Sequence, residues 1–207
     1  MNGKFITFEG GEGCGKTTQI ALLAAVLRDR GLQVFTTREP GGDPVAEAIR
    51  AVLLNVKHPV MPDAELMLFL AARSQVVQTV LLPHLRNGET VLCDRFTDST
   101  LAYQGYARNK DVEAVRALNE YATCGLTPDL TLLLDISPEI GLARQTDKNR
   151  MEYEPIEFHR LVRDGYLTEA QKAPDRVKIV DASRTVEEIH YDVLNIVNLS
   201  PDYIQQR

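Results

Sequence analysis

Cysteine is scarce in this sequence, with three residues at Cys14, Cys93 and Cys124. An odd number spaced so widely fits a reducing compartment and lays out no disulfide framework. The four histidines are scattered, and none stands at the spacing of a zinc site. Positive charge is not in excess either: the formal net charge is −6. That argues against a chain built to wrap nucleic acid and leaves room only for a local basic pocket. No run of about 18 apolar residues is present to cross a bilayer, and no basic stretch precedes the first apolar segment. Neither an internal repeat, a low-complexity tract nor a linker interrupts the chain. A cytoplasmic protein with no nucleic-acid or membrane partner is expected. What is present is 207 residues with 44% hydrophobic content, enough for one domain, 1–207, with a full core.

The most informative stretch is Gly10-Gly11-Glu12-Gly13-Cys14-Gly15-Lys16-Thr17, which fits G-x-x-x-x-G-K-[ST]. It follows the apolar run Phe5 to Phe8 and opens a segment of helical periodicity. Its four glycines let backbone N–H groups curl around phosphate oxygens, and the helix that follows adds its positive N-terminal end. Lys16 is placed to reach the β- and γ-phosphates, and Thr17 to offer a hydroxyl to Mg²⁺.

Further strands are expected at 33–37, 90–93, 130–135 and 177–180, and helices at about 44–53, 63–86, 112–124, 141–146, 156–172 and 185–197. Residues 97–109 read as too polar and aromatic for a simple core helix. Alternation of near-continuous apolar strands with helices is the pattern of an α/β protein whose parallel sheet is covered on both faces. Its cleft then lies along the C-terminal edge of the strands, where Asp94 and Arg95 emerge.

A phosphate loop names a nucleoside triphosphate but no reaction. Asn-Lys-x-Asp, the guanine signature of GTPases, is missing. Arginines abound instead, read as lying in loops after strands: Arg38, Arg50, Arg73, Arg95, Arg144 and Arg150. Two phosphate-bearing substrates brought together for in-line transfer need such a set.

At these residues the sequence resembles the thymidylate kinases over essentially its whole length. The motifs are Phe8-Glu9-Gly10, Arg38 to Gly42 (Arg-Glu-Pro-Gly-Gly), Asp94-Arg95-Phe96 with Ser99 and Ala102-Tyr103-Gln104-Gly105, and Pro128 to Thr131 with Leu134-Asp135. The resemblance implies the phosphate-loop fold of nucleoside monophosphate kinases, with five parallel strands and a small lid at about 144–154. It implies Mg²⁺-dependent transfer of the ATP γ-phosphoryl group to dTMP, giving dTDP, by a homodimer whose interface involves the 63–86 helix. ATP would be held by Gly10 to Thr18, with Arg144, Ser183 and Arg184 on the donor side; a helix N-cap at Ser183 explains that serine equally well. dTMP would meet Arg38, Glu39 and Pro40 at the turn, Arg50 and Arg95 at its phosphate, and Glu12 and Tyr103 at its sugar. The base would meet Phe69, Arg73 with Ser99 beside it, and Gln104. Lys16, Asp94, Arg95 and Arg150 would be catalytic, with Thr17 and Asp94 near the metal. Gly13 leaves the phosphate loop without an arginine, so Arg150 in the lid is the implied catalytic arginine, with both Arg144 and Arg150 exposed. The rival readings are a deoxynucleoside kinase and a phosphate-loop nucleotide switch. Phosphate-holding Arg50 and Arg95 speak against the first, and a complete base pocket against the second.

Overall fold

The computed structural model describes residues 3–55, 57, 59–145 and 149–199. Five parallel strands form one sheet in the order β2-β3-β1-β4-β5: β1 Phe5–Glu9, β2 Val34–Arg38, β3 Thr90–Asp94, β4 Leu130–Asp135 and β5 Val177–Asp181. Central β1 pairs with β3 (Phe5 opposite Val91) and with β4 (Ile6 opposite Leu130). Strand periodicity explains why the strands are apolar throughout. Ile6, Phe8, Leu92, Leu132 and Leu134 face one side, packed with Leu23 and Leu27 of α1 (Lys16–Asp29) and Ile189 and Val193 of α9 (Val186–Leu199). Phe5, Val91 and Cys93 face the other, against Ala72, Val76 and Val77. Each strand ends on a charged residue at the same edge: Glu9, Arg38, Asp94, Asp135 and Asp181.

Pro44 starts α2 (Pro44–Leu53), capped by the Asp43 carboxylate accepting from the Val45 N–H at 2.8 Å. The segment expected as one helix over 63–86 is helical from Pro62 to Arg86 but not uniformly so. It comprises α3 (Pro62–Val76), a π-helical turn (Val77–Leu81) and α4 (Leu82–Arg86). Pro83 has no N–H to donate and its ring crowds the carbonyl four residues back, which the wider turn just before it relieves. Among the described residues this segment is the one long and apolar enough, by length and composition, to cross a membrane. Here it packs on α2 and on α6 (Val112–Thr123) and carries buried, ion-paired Glu65 and Arg73.

Residues 97–107 correct the sequence reading. They are helical, α5 (Thr97–Thr100) running into a π-helical stretch (Leu101–Ala107), and Ser99, Thr100, Tyr103 and Gln104 line the cleft. The helix after β4 is α7 (Pro138–Ala143), begun by Pro138, instead of 141–146. Of the expected lid, Thr146, Asp147 and Lys148 lie outside the described residues. Asn149 caps a short 3₁₀ turn (Arg150–Tyr153), and its side chain and that of Glu152 bond reciprocally. Next comes α8 (Ile156–Lys172), with the bounds expected. Thr185 and Glu188 form the capping pair of α9, so Ser183 is not a cap; its hydroxyl bonds Asp181 at 2.7 Å.

Candidate active site

A cleft of about 430 Å³ opens at the C-terminal edge of the sheet. Its floor is the phosphate loop, between β1 and α1. Gly10, Gly13 and Gly15 take positive φ there (134°, 66° and 91°), the left-handed region open to a residue without Cβ. Gly13 has a second reason to be glycine: a Cβ on it would lie 1.9 Å from the Gly141 carbonyl of α7. The Lys16 ammonium is folded over the loop, donating to the carbonyls of Gly10 (3.2 Å) and Gly11 (2.9 Å). The Thr17 hydroxyl donates to Asp94 Oδ2 at 2.9 Å.

Arg95, at φ 70°, turns back over the loop. Its guanidinium donates to the Gly10 carbonyl (3.0 Å), the Tyr166 hydroxyl (3.2 Å) and Glu12 Oε1 (2.8 Å), and lies over the Tyr103 ring. The Tyr103 hydroxyl donates to the same Glu12 oxygen at 2.8 Å. Burial pushes the Glu12 carboxyl upward, but Arg95, Lys16 and the Tyr103 hydroxyl outweigh it, and it falls to about 2. Beneath this group lies Glu9, fully buried. It accepts from the backbone N–H groups of Phe96 (2.7 Å) and Ser99 (3.2 Å), and from the hydroxyls of Ser99 (2.6 Å) and Tyr166 (3.0 Å). Burial, and then the charge of Asp98, raise its carboxyl to about 7.

Across the cleft, Arg38 pairs with Glu47 at 3.0 Å, and Arg50 donates to the Pro40 carbonyl at 2.8 Å. Burial and then the neighbouring Arg38 push the Arg50 guanidinium below its ordinary value. Arg50 beside Arg38, with Glu47 the carboxylate paired to the latter, makes a place for an anion. Arg50 and Arg73 reach the cleft from helices α2 and α3, not from the loops the sequence reading gave them. Arg73 is buried. Its Nε donates to Glu39 (2.8 Å), Nη1 to Thr100 (2.7 Å) and Asn119 (2.6 Å), and Nη2 to the Phe96 carbonyl (2.8 Å). Its neighbour is therefore Thr100, while the Ser99 hydroxyl belongs to Glu9 and Tyr166. Phe69 is half-buried and lines the cleft beside Gln104. Phe96 is edge-on to Phe5 in the core.

The expected donor-side residues divide. Arg144 lines the cleft and donates to the carbonyls of Gly13 (3.4 Å) and Ala182 (3.2 Å). Ser183 and Arg184 stand at the end of β5 outside the cleft lining, with Arg184 ion-paired to Asp192. Arg150, expected to be exposed, is mostly buried and outside that lining. Its Nε donates to the Leu53 carbonyl (2.7 Å) and its Nη2 to Glu65 (2.7 Å). Sequence reasoning assigned no role to Glu9, Glu65 or Tyr166. Glu65 could have been found, since it stands four residues before Phe69 and eight before Arg73 on one helix face. Tyr166 gave no local signal, being 67 residues from its partner Ser99.

A family model described as thymidylate kinase matches residues 8–193. A thymidylate kinase of Geotalea uraniireducens (strain Rf4) is 51% identical over 196 residues, covering 90% of this chain and 92% of its own length. One of Pelotomaculum thermopropionicum is 50% identical over 199 residues, covering 94% and 92%. Among solved structures, a thymidylate kinase from Ehrlichia chaffeensis superposes with a TM-score of 0.80 at 32% identity, covering 95% of this chain and 99% of that one.

Proposed function

The chain belongs to the thymidylate kinase family, and we propose how its own residues carry out that family's reaction, ATP-dependent phosphorylation of dTMP to dTDP. One observation carries the reading: a single cleft is lined both by Lys16 and Thr17 and by Arg50, Phe69, Arg73 and Gln104. A triphosphate on the loop and a monophosphate nucleotide opposite it then share one cleft.

The acceptor oxygen belongs to a phosphate, already anionic, so the site needs no general base; it needs positioning and charge compensation. Lys16 bonds only neutral carbonyls and a sulfur, so its charge is available to the transferring phosphoryl group. Arg38, Arg50 and Arg95 hold the acceptor phosphate, and guanidinium suits this because it binds phosphate oxygens in a planar fork. Glu12 and Tyr103 face the sugar; Phe69, Arg73 and Gln104 face the base. Arg144, reaching the Gly13 carbonyl, meets charge on the phosphoryl oxygens from the segment 144–154, which acts as the lid of one domain. Arg150 braces the wall behind the base.

The Thr17 hydroxyl and Asp94 carboxylate fit Mg²⁺, a hard cation that takes one or two protein oxygens and completes its shell with phosphates and water. When bound, it supplies charge neutralisation at the β- and γ-phosphate oxygens. We also propose a cytoplasmic homodimer. The free state of all three cysteines supports the first, and the long helical segment Pro62–Arg86 supports the second, since only 39% of its most apolar stretch is buried.

Nucleoside monophosphates screened as acceptors with ATP and Mg²⁺ are expected to give the highest kcat/KM for dTMP. It should exceed that of dCMP by roughly tenfold or more, the worth of one mismatched polar group. Equal values for dCMP and dTMP reject the acceptor assignment; turnover of thymidine, or acceptor-independent hydrolysis alone, indicates the nucleoside kinase or the switch.

A further inference from the structure

Glu65 is charged and wholly buried, and it does not itself line the cleft. Its Oε1 accepts from Gln104 Nε2 at 2.9 Å and from Arg108 Nε at 3.3 Å; its Oε2 accepts from Arg108 Nη2 at 3.2 Å and Arg150 Nη2 at 2.7 Å. Burial raises its carboxyl, and the hydrogen bonds from Arg108, Gln104 and Arg150 outweigh that, holding it below its ordinary value. It is therefore an acceptor and nothing else.

A glutamine amide beside an obligate acceptor has one choice. Its NH₂ must face the carboxylate, which turns its carbonyl the other way. Gln104 lines the cleft, and among the described residues its Oε1 accepts no hydrogen bond. Arg73 lines the same cleft, with four of its five N–H groups occupied by Glu39, Thr100, Asn119 and the Phe96 carbonyl. One Nη2 N–H remains. The lining of the cleft thus holds one unused donor, on Arg73, and one unused acceptor, on Gln104. A pyrimidine with a carbonyl at C4 and a hydrogen on N3 presents the complement. Cytosine, with an amine at C4 and a bare N3, presents the reverse at both positions.

We propose that Glu65 is a positioning residue for base specificity: by fixing the Gln104 amide it forces an acceptor toward N3 of the bound base, selecting thymine over cytosine. Because Glu65 also holds Arg150, the base wall and the segment after α7 share one carboxylate. The proposal rests on the acceptor-site reading above.

The test is Glu65→Gln, whose amide either donates or accepts, so that Gln104 is free to turn over. The ratio of kcat/KM for dTMP to that for dCMP is expected to fall roughly tenfold or more, with the KM for ATP unchanged. In a Gln104→Ala background the same substitution should leave the ratio where Gln104→Ala alone puts it. A uniform loss for both acceptors, with the ratio kept, makes Glu65 a structural brace and overturns the proposal. Should Glu65→Gln not fold, the wild-type complex with dTMP decides. Gln104 bridging Glu65 and thymine N3 upholds the proposal, and a Gln104 amide detached from Glu65 overturns it. Absence of dTMP turnover in the wild-type protein is a different result and removes the acceptor reading itself.

Discussion

Glu9 has two backbone N–H groups and two hydroxyls within hydrogen-bond distance, yet burial raises its carboxyl to about 7; when protonated it donates to one of the hydroxyls, which reverses direction. The ordinary value of a glutamate is about 4.5, so between roughly pH 4.5 and 7 the folded state binds a proton that the unfolded chain has released. The stability this contributes is fully present below the lower value and is lost as pH rises through the upper. Glu9→Gln keeps the shape: its carbonyl accepts from the Phe96 and Ser99 N–H groups, and its NH₂ donates to the two hydroxyls, which reverse direction. It should abolish that pH dependence and be the more stable protein at pH 8, by up to roughly 3 kcal/mol for a shift of this size. Chemical denaturation at pH 5, 6, 7 and 8 checks this, and parallel stability profiles for both proteins would refute it. The motif Phe-Glu-Gly was visible in the sequence, but the role of its glutamate was not. Nothing local says that a side chain at the end of β1 will hold the turn that carries Arg95.

The element that decides how positive charge enters the cleft is α7. Its Gly141 backbone sits so close to Gly13 that no side chain fits the phosphate loop there, and an arginine at that position is excluded by contact as well as by φ. Charge must come from the segment after α7, whose two arginines are differently placed. Arg144 is exposed and bonds only carbonyls, so Arg144→Ala should leave thermal stability within about 0.5 kcal/mol of wild type while lowering kcat. Arg150 is mostly buried on Glu65, so Arg150→Ala should cost about 1–3 kcal/mol, a loss of several degrees in Tm. Measuring Tm and kcat for both variants separates the roles. A stable Arg150→Ala with collapsed kcat, beside a fully active Arg144→Ala, would restore catalysis to Arg150. The sequence made both arginines look exposed, because it shows charge in a polar break and not which carboxylate lies beneath.

At the scale of the whole molecule, the sheet order sets β1 between β3 and β4 and so brings the phosphate loop against Asp94 and Arg95. The helical segment from Pro62 to Arg86 walls the other side and leaves Met67 half exposed, while Val45 and Val52 of α2 are similarly open. Covering such a wall with a second copy gives a particle of twice the 23.1 kDa chain mass. Light scattering coupled to size exclusion at micromolar concentration is expected to return that doubled mass. A value of one chain mass across the range would remove the dimer from the proposal.

The sequence by itself determined the phosphate loop, the five strands and the parallel α/β class, while the acceptor-side residues of the cleft came from its resemblance to a family. Loop, strands and class follow from local rules: glycine conformations, apolar runs buried on both faces, and motifs whose spacing is short. The tertiary structure alone decided the buried partners. Glu65 meets Arg150 across 85 positions and Glu9 meets Tyr166 across 157. Such pairs leave no periodic trace, since a buried carboxylate is stabilised by whichever donors the fold brings within 3 Å, wherever they stand in the chain.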